Sequence, residues 1–202
     1  MDKLIYIDQQ WLLAINSWHA PWADILMWHI SAQSTWIPLY IVLVIMLWRR
    51  FGFKRLLIIL LGFIFAVGLS DFISSSVIKP LVCRPRPSHE PALEGLIHLV
   101  RNYSGGAYGF VSSHAANTMS CALLFCLIWN VPLNNNGAIH KTNSHLEWWL
   151  LMTWVVLNCY SRMYLGVHYP GDILGGLIIG VVLSVVAYGI VLILLRGFDR
   201  KS

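Results

Sequence analysis

Charge is what this chain has least of. Of its 202 residues only 11% are Asp, Glu, Lys or Arg, against roughly 25% in ordinary soluble domains. So few charges cannot cover a globular surface in water. The 57% hydrophobic content and ten tryptophans point the same way. A soluble enzyme, a disordered tail and a nucleic-acid-binding module are excluded on these grounds. Cysteine is sparse as well: Cys83, Cys121, Cys126 and Cys159 show no CxxC and no regular spacing. Three of them lie in apolar stretches, where a free thiol behaves as a small hydrophobe. Neither a disulfide framework nor a zinc site is expected. Met1-Asp2-Lys3 carries no basic leader region and no small-residue cleavage site follows, so a removable signal peptide is not expected. Internal repeats and low-complexity tracts are also missing.

Long apolar runs are what the chain does have. A helix crossing about 30 Å of hydrocarbon needs roughly 20 apolar residues, so 202 residues allow five or six spans. Residues 36–48, with part of 23–35, read as one span interrupted near Pro38. Further spans are read at 56–78, 112–131, 147–164 and 173–195, with a polar turn at 134–145. The Trp148-Trp149 pair fits an interfacial aromatic belt. Residues 1–30 are expected to form either an interfacial helix or an extra span, Leu4, Trp11, Leu12, Ile15 and Trp18 standing at roughly helical spacing. The fold class is therefore all-α: a single polytopic membrane bundle of five to six transmembrane helices over 1–202.

The net charge of +5 has to be located before it is interpreted. Four cations lie in residues 49–55 and three more at Arg196, Arg200 and Lys201, which reads as the cytoplasmic side. Residues 80–111 and 165–171 then share the outer face. Lys79, Arg84, Arg86, Arg101 and Arg162 lie on or next to that face, against the insertion bias. Binding an anion is the simplest reason for them.

Three segments hold the polar residues. In Lys79-Pro80-Leu81-Val82-Cys83-Arg84-Pro85-Arg86-Pro87 the prolines stiffen an extended chain. Headgroup contact by snorkelling cations is the plain alternative there. In Gly109-Phe110-Val111-Ser112-Ser113-His114, Ser112 is a natural N-cap, and a helix start offers N–H groups to an anion. In the third segment Arg162 closes one span, His168 lies between spans, and Asp172 starts the next. Asp172 either caps that helix or accepts the His168 N–H and fixes its tautomer.

Together these segments resemble the type 2 phosphatidic acid phosphatase superfamily over about residues 55–195. Its first motif, a lysine, six residues and then Arg-Pro, is matched by Lys79 and Arg86-Pro87. Its third, Ser-Arg, five residues, His, three residues, Asp, is matched by Ser161, Arg162, His168 and Asp172. The second, Pro-Ser-Gly-His, keeps Ser112 and His114, with Val111 and Ser113 at the other two positions. The resemblance implies that Lys79, Arg86 and Arg162 clamp a phosphate, with Ser112 and Ser113 adding hydrogen bonds. It implies that His168 attacks phosphorus to give a phosphohistidine, Asp172 orients it, and His114 protonates the leaving group and then activates water. No metal or other cofactor is implied.

The expected protein is a membrane lipid phosphatase. Its candidate substrates are undecaprenyl diphosphate, phosphatidylglycerol phosphate, phosphatidic acid and lipid A phosphates. The expected setting is a bacterial inner membrane, with the site on the periplasmic face and membrane lipids as surroundings; the oligomeric state stays open. A phosphate transporter and a non-catalytic lipid-binding protein are the alternatives. Asp71 lies inside a span and repeats with Ser75 and Lys79 at every fourth residue. It is read as a contact to another helix or as a group orienting Lys79. The glycine-rich stretch 104–109 is expected to form part of the substrate entrance, and the Asn102-Tyr103-Ser104 sequon is read as coincidence.

Overall fold

The computed structural model describes residues 2–131 and 145–200. Residues 134–144 of the expected polar turn, and Lys201, lie outside the described residues. Two short helices open the fold, α1 (Asp2–Asn16) and α2 (Pro21–Ser31). At 1.5 Å per residue they reach about 22 and 16 Å, so neither alone spans a bilayer core of about 30 Å. Of residues 23–35, only 33–35 join the first span, as part of the apolar stretch Gln33–Val82. A 3-10 turn at Gln33–Trp36 separates α2 from the next helix. Pro38 sits in that helix's first turn, where its missing N–H has no intrahelical partner to lose.

The longest helix, α3 (Ile37–Phe72), is two legs, 37–51 and 53–72, divided at Gly52. Gly52 has φ +76°, ψ 166°, a conformation that glycine adopts without a side-chain clash. The reversal falls inside the 49–55 cation cluster. A π-helical turn over Ile73–Ile78 follows, then the short helix α4 (Lys79–Val82), which ends at left-handed Cys83. The remaining helices are α5 (Ser113–Trp129), α6 (His145–Tyr164) and α7 (Pro170–Asp199). Helix makes up 82% of the structure, and no strand occurs among the described residues. The all-α expectation holds.

α5 is the central helix, packed on α3, α6 and α7. Small residues permit this approach: a Cβ on Gly180 would stand 2.6 Å from the Ala116 carbonyl oxygen, so α7 closes directly on the backbone of α5. Ser184 fastens the same seam, its hydroxyl donating to the carbonyls of Gly180 and Ser120 at 2.6 and 3.2 Å. Outward faces are apolar. Leu61, Ile64, Ile178 and Ile193 are each more than 60% exposed, a surface that suits hydrocarbon solvent and not water. The helices of 33–82 and 170–199 are long and apolar enough to cross a membrane.

One end of the bundle gathers the basic residues expected on the cytoplasmic side. Arg50 donates to the Val131 carbonyl at 3.2 Å, and Arg55 pairs with Asp199 at 3.0 Å. The opposite end carries α1, α2 and the segment 83–112, and there the polar groups converge.

Candidate active site

Lys79 stands one residue past the π turn. That turn inserts extra backbone per revolution, so Asp71, Ser75 and Lys79 do not keep the single row expected from four-residue spacing. Lys79 Nζ donates to Ser113 Oγ at 3.3 Å. Asp71 instead accepts from Asn117 Nδ2 on α5 at 3.2 Å, the helix-to-helix contact that was one of its two expected roles.

The segment after α4 runs extended through Pro85. It pairs with the glycine-rich stretch: Arg86 N–H donates to the Ala107 carbonyl at 3.0 Å, and Gly109 N–H to that of Arg84 at 2.9 Å. This pairing buries Arg86, whose Nε donates to the Tyr108 carbonyl at 3.1 Å and Nη1 to that of Val167 at 3.4 Å. The glycines press onto the site. A Cβ on Gly105 would stand 2.6 Å from Arg86 Nη1, and one on Gly109 2.7 Å from Asp172 Oδ2. The stretch expected at the entrance is thus a close-fitting cover, which requires residues without side chains.

Ser112 caps α5 as expected, its Oγ accepting from the Ala115 N–H at 3.4 Å. Its own N–H donates to the Asp172 carbonyl at 2.9 Å, so the start of α5 is bonded to the start of α7. His114 lies in that first turn, among Arg162, His168, Lys79 and Arg86. Arg162, at the end of α6, is 4% exposed; its Nη1 donates to Ser31 Oγ and its ring-side neighbour is Tyr103. The Arg162 Nε has no protein acceptor.

His168 and Asp172 are joined. His168 Nδ1 lies 3.2 Å from Asp172 Oδ2, and both side chains are at most 1% exposed. Asp172 also caps α7, its Oδ2 accepting the Tyr169 N–H at 3.1 Å. Both expected roles of this aspartate therefore coexist. Burial, reinforced by the charges of Arg162, Arg86 and Lys79, holds the His168 pKa well below the ordinary imidazole value of 6.5. The ring is thus kept neutral. Asp172 engages Nδ1, and the Gly109 backbone also bonds the ring.

The eight residues named from the sequence (Lys79, Arg86, Ser112, Ser113, His114, Arg162, His168 and Asp172) thus meet at one end of the bundle. Arg84 belongs to the same network and was not among them. Its Nη1 donates to Asp172 Oδ1 at 2.9 Å, its Nη2 to Asp8 Oδ2 at 2.6 Å, and its guanidinium lies 4.1 Å from the Tyr169 ring centre. One signal pointed to it: in an extended chain, residues two apart share a face, so Arg84 follows Arg86. Asp8 has no such signal. It accepts from the Gly171 N–H at 2.8 Å as well as from Arg84, tying α1 to the start of α7.

Electrostatically the site is incomplete. Asp172 is ion-paired with Arg84, and among the described residues Lys79, Arg86 and Arg162 around the two histidines form no salt bridge of their own. Buried cations are costly unless paired, so this arrangement calls for an anion. Tetrahedral oxyanions suit a fork of two guanidiniums and an ammonium.

Comparison with known proteins agrees. The chain is 34% identical over 185 residues to the lipid A 4'-phosphatase of Bacteroides thetaiotaomicron, covering 89% of this chain and 75% of that one. It is 30% identical over 192 residues to the lipid A 4'-phosphatase of Porphyromonas gingivalis, covering 95% and 76%. Its fold matches the crystal structure of a transmembrane PAP2-type phosphatidylglycerolphosphate phosphatase from Bacillus subtilis. The TM-score is 0.66 at 24% identity, over 100% of this chain and 88% of that one. The family profile matches residues 59–194, which include every residue of the cation–histidine cluster, and on that match the chain belongs to the PAP2 superfamily.

Proposed function

We propose that this protein is a membrane lipid phosphatase that removes phosphate from a lipid headgroup through a phosphohistidine. The observation that carries this reading is the set of two buried arginines and half-buried Lys79, in no salt bridge among the described residues, around a neutral, aspartate-held histidine. The 30–34% identity to two lipid A 4'-phosphatases supports it and favours a lipid A phosphate among the candidate substrates.

In the reaction, Lys79, Arg86 and Arg162 hold the phosphoryl oxygens and stabilise the charge that grows on them. The Ser113 hydroxyl, which accepts from Lys79, keeps its proton to donate. Ser112 contributes less, because its N–H already donates to the Asp172 carbonyl and its side chain is fully buried beneath the helix start. His168 Nε2 attacks phosphorus as the bond to the lipid oxygen breaks, and His114 gives that oxygen a proton. Water then attacks the phosphohistidine, giving its proton to His114, and the N–P bond breaks to release inorganic phosphate. In this reading the five long legs, 33–51, 53–82, 113–131, 145–164 and 170–199, cross a bacterial inner membrane. Helices α1 and α2 lie in the periplasmic interface beside the site.

The test is phosphate release from purified protein in detergent, using a panel of the four candidate lipids with and without vanadate. Release that vanadate inhibits, lost in His168→Ala, is expected. No release from any lipid, together with protein-dependent phosphate flux in liposomes, would overturn the reading in favour of a transporter.

A further inference from the structure

Behind His114 lies a cavity of about 680 Å³, between the two legs of α3 and the faces of α5 and α6. That volume falls within the roughly 300–1,000 Å³ of ligand pockets. Most of its wall is hydrocarbon or aromatic, such as Trp36, Tyr40, Leu47 and Phe63. His114 lines it, so cavity and cation cluster are continuous. A molecule whose phosphate sits on the cations has this cavity beside it for the rest of its structure.

One place on this wall is polar in a particular way. Asp71 and Asn117 both face the cavity. Asn117 follows His114 by three residues, so the two share a helix face about 5–6 Å apart. Asn117 Nδ2 is spent on Asp71 Oδ1 at 3.2 Å, and this fixes the amide so that Asn117 Oδ1 faces away from Asp71. That oxygen is buried and has no partner. A carboxylate accepts as many as four hydrogen bonds, and among the described residues Asp71 receives this one from a side chain. The pair therefore presents the Asp71 carboxylate and the Asn117 carbonyl oxygen beside the one N–H that Asn117 has left, so acceptors outnumber donors one helical turn below the histidine. Such a wall favours a ligand with donors there and penalises one with ester oxygens or plain hydrocarbon, because the buried acceptor then stays unsatisfied.

We infer that Asp71 and Asn117 select lipid phosphates bearing a hydroxyl or amide N–H donor at the junction of headgroup and chain. An N-acylated amino-sugar lipid has such donors; a diacylglycerol phosphate or a polyprenyl phosphate has none there. This rests on the phosphatase reading and narrows its substrate class. Asp71 and Asn117 are specificity residues and take no part in the bond-making steps.

The experiment compares kcat/KM for two phosphomonoesters with chains of equal length, a phosphorylated N-acylglucosamine lipid and phosphatidic acid. It uses wild type, Asp71→Leu, Asn117→Leu and the near-isosteric Asp71→Asn. Wild type is expected to prefer the amino-sugar lipid. Each leucine variant should cut that ratio about tenfold, through a higher KM for the donor-bearing lipid. Should the leucine variants fail to fold, Asp71→Asn should still lower the ratio, about threefold. Hydrolysis of both lipids with a ratio that no variant changes would overturn the inference alone, because a structural role lowers both rates together. Hydrolysis of neither lipid by a wild type that releases phosphate from another lipid of the panel would also overturn the inference alone, whereas no release from any lipid would overturn the phosphatase reading itself.

Discussion

Two histidine–aspartate pairs hold the same end of this molecule together, and they do different things. His168 Nδ1 lies 3.2 Å from Asp172, and His98 Nε2 lies 2.9 Å from Asp24. The second contact is the shorter. Yet His98 and Asp24 are 28% and 23% exposed, whereas His168 and Asp172 are almost completely enclosed. Around Asp24 stand the Tyr164 hydroxyl, donating at 2.6 Å, and His98, which stacks on His19 at 3.9 Å. Asn16 clips the His98 backbone from both sides, donating to its carbonyl at 3.0 Å and accepting its N–H at 2.8 Å. That pair is a fastener joining α1 and α2 to α6 and the 83–112 segment. Around His168 stand three cations and a second histidine. Contact distance does not separate the two pairs; the surrounding charge and burial do.

The sharpest way to break this comparison is to truncate each histidine. His168→Ala should lower turnover by about 10⁴-fold or more, as loss of a nucleophile does elsewhere, with folding retained on gel filtration. His98→Ala should leave turnover within about threefold. Similar losses in both would erase the distinction drawn here.

A smaller effect is expected from Arg84, which braces Asp172 from behind. Arg84→Leu should reduce kcat about 10–100-fold, the range found when a group orienting a reactive side chain is removed, with KM little changed. Arg84→Lys should recover part of the loss. A KM effect without a kcat effect would make Arg84 a substrate ligand instead.

Next comes the response to pH. Folded His168 resists protonation, while in the unfolded chain it takes a proton below about pH 6.5. The unfolded state then binds the extra proton, so stability contributed by the neutral ring is fully present above about pH 7. It is lost as pH falls below 6.5. Thermal denaturation in detergent should show this decline, by up to about 1.4 kcal/mol per pH unit, and His168→Ala should flatten it. An unchanged slope would mean that the ring is protonated in the folded protein.

The smallest effect is expected at the fastener. Asp24→Asn keeps the shape of the pair and weakens charge-assisted bonds to His98 and Tyr164, costing about 1 kcal/mol of stability. Turnover at saturating substrate should be unaffected. A loss of turnover with unchanged stability would give Asp24 a part in the reaction.

Much of the fold was legible because apolar runs of membrane length are a local signal. The spans read at 56–78, 112–131, 147–164 and 173–195 correspond to the second leg of α3 and to α5, α6 and α7. The 49–55 cation cluster marked the reversal that Gly52 makes. The site's residues were legible for another reason: three spaced motifs carried them, whatever the helices did. What escaped was pairing over distance. Nothing local to Asp8 predicts Arg84, 76 positions away, or Gly171, 163 positions away. Asp71 misled by its spacing, since a single π turn is invisible to a four-residue period. The glycines of 104–109 read as freedom, whereas Gly105 and Gly109 are places where neighbouring side chains claim the room.

The Asp8–Gly171 bond also sets an order of events during synthesis. α1 is among the first elements made, and its anchor belongs to the last helix. At about 5–20 residues per second, the ribosome needs roughly 10–30 s to make the intervening chain. Until then Asp8 has no Gly171 to accept from, and the apolar side of α1 around Leu12 lacks Tyr169, which with Leu93 later covers it. Assembly of this end of the bundle therefore waits on the start of α7, made 163 positions after Asp8.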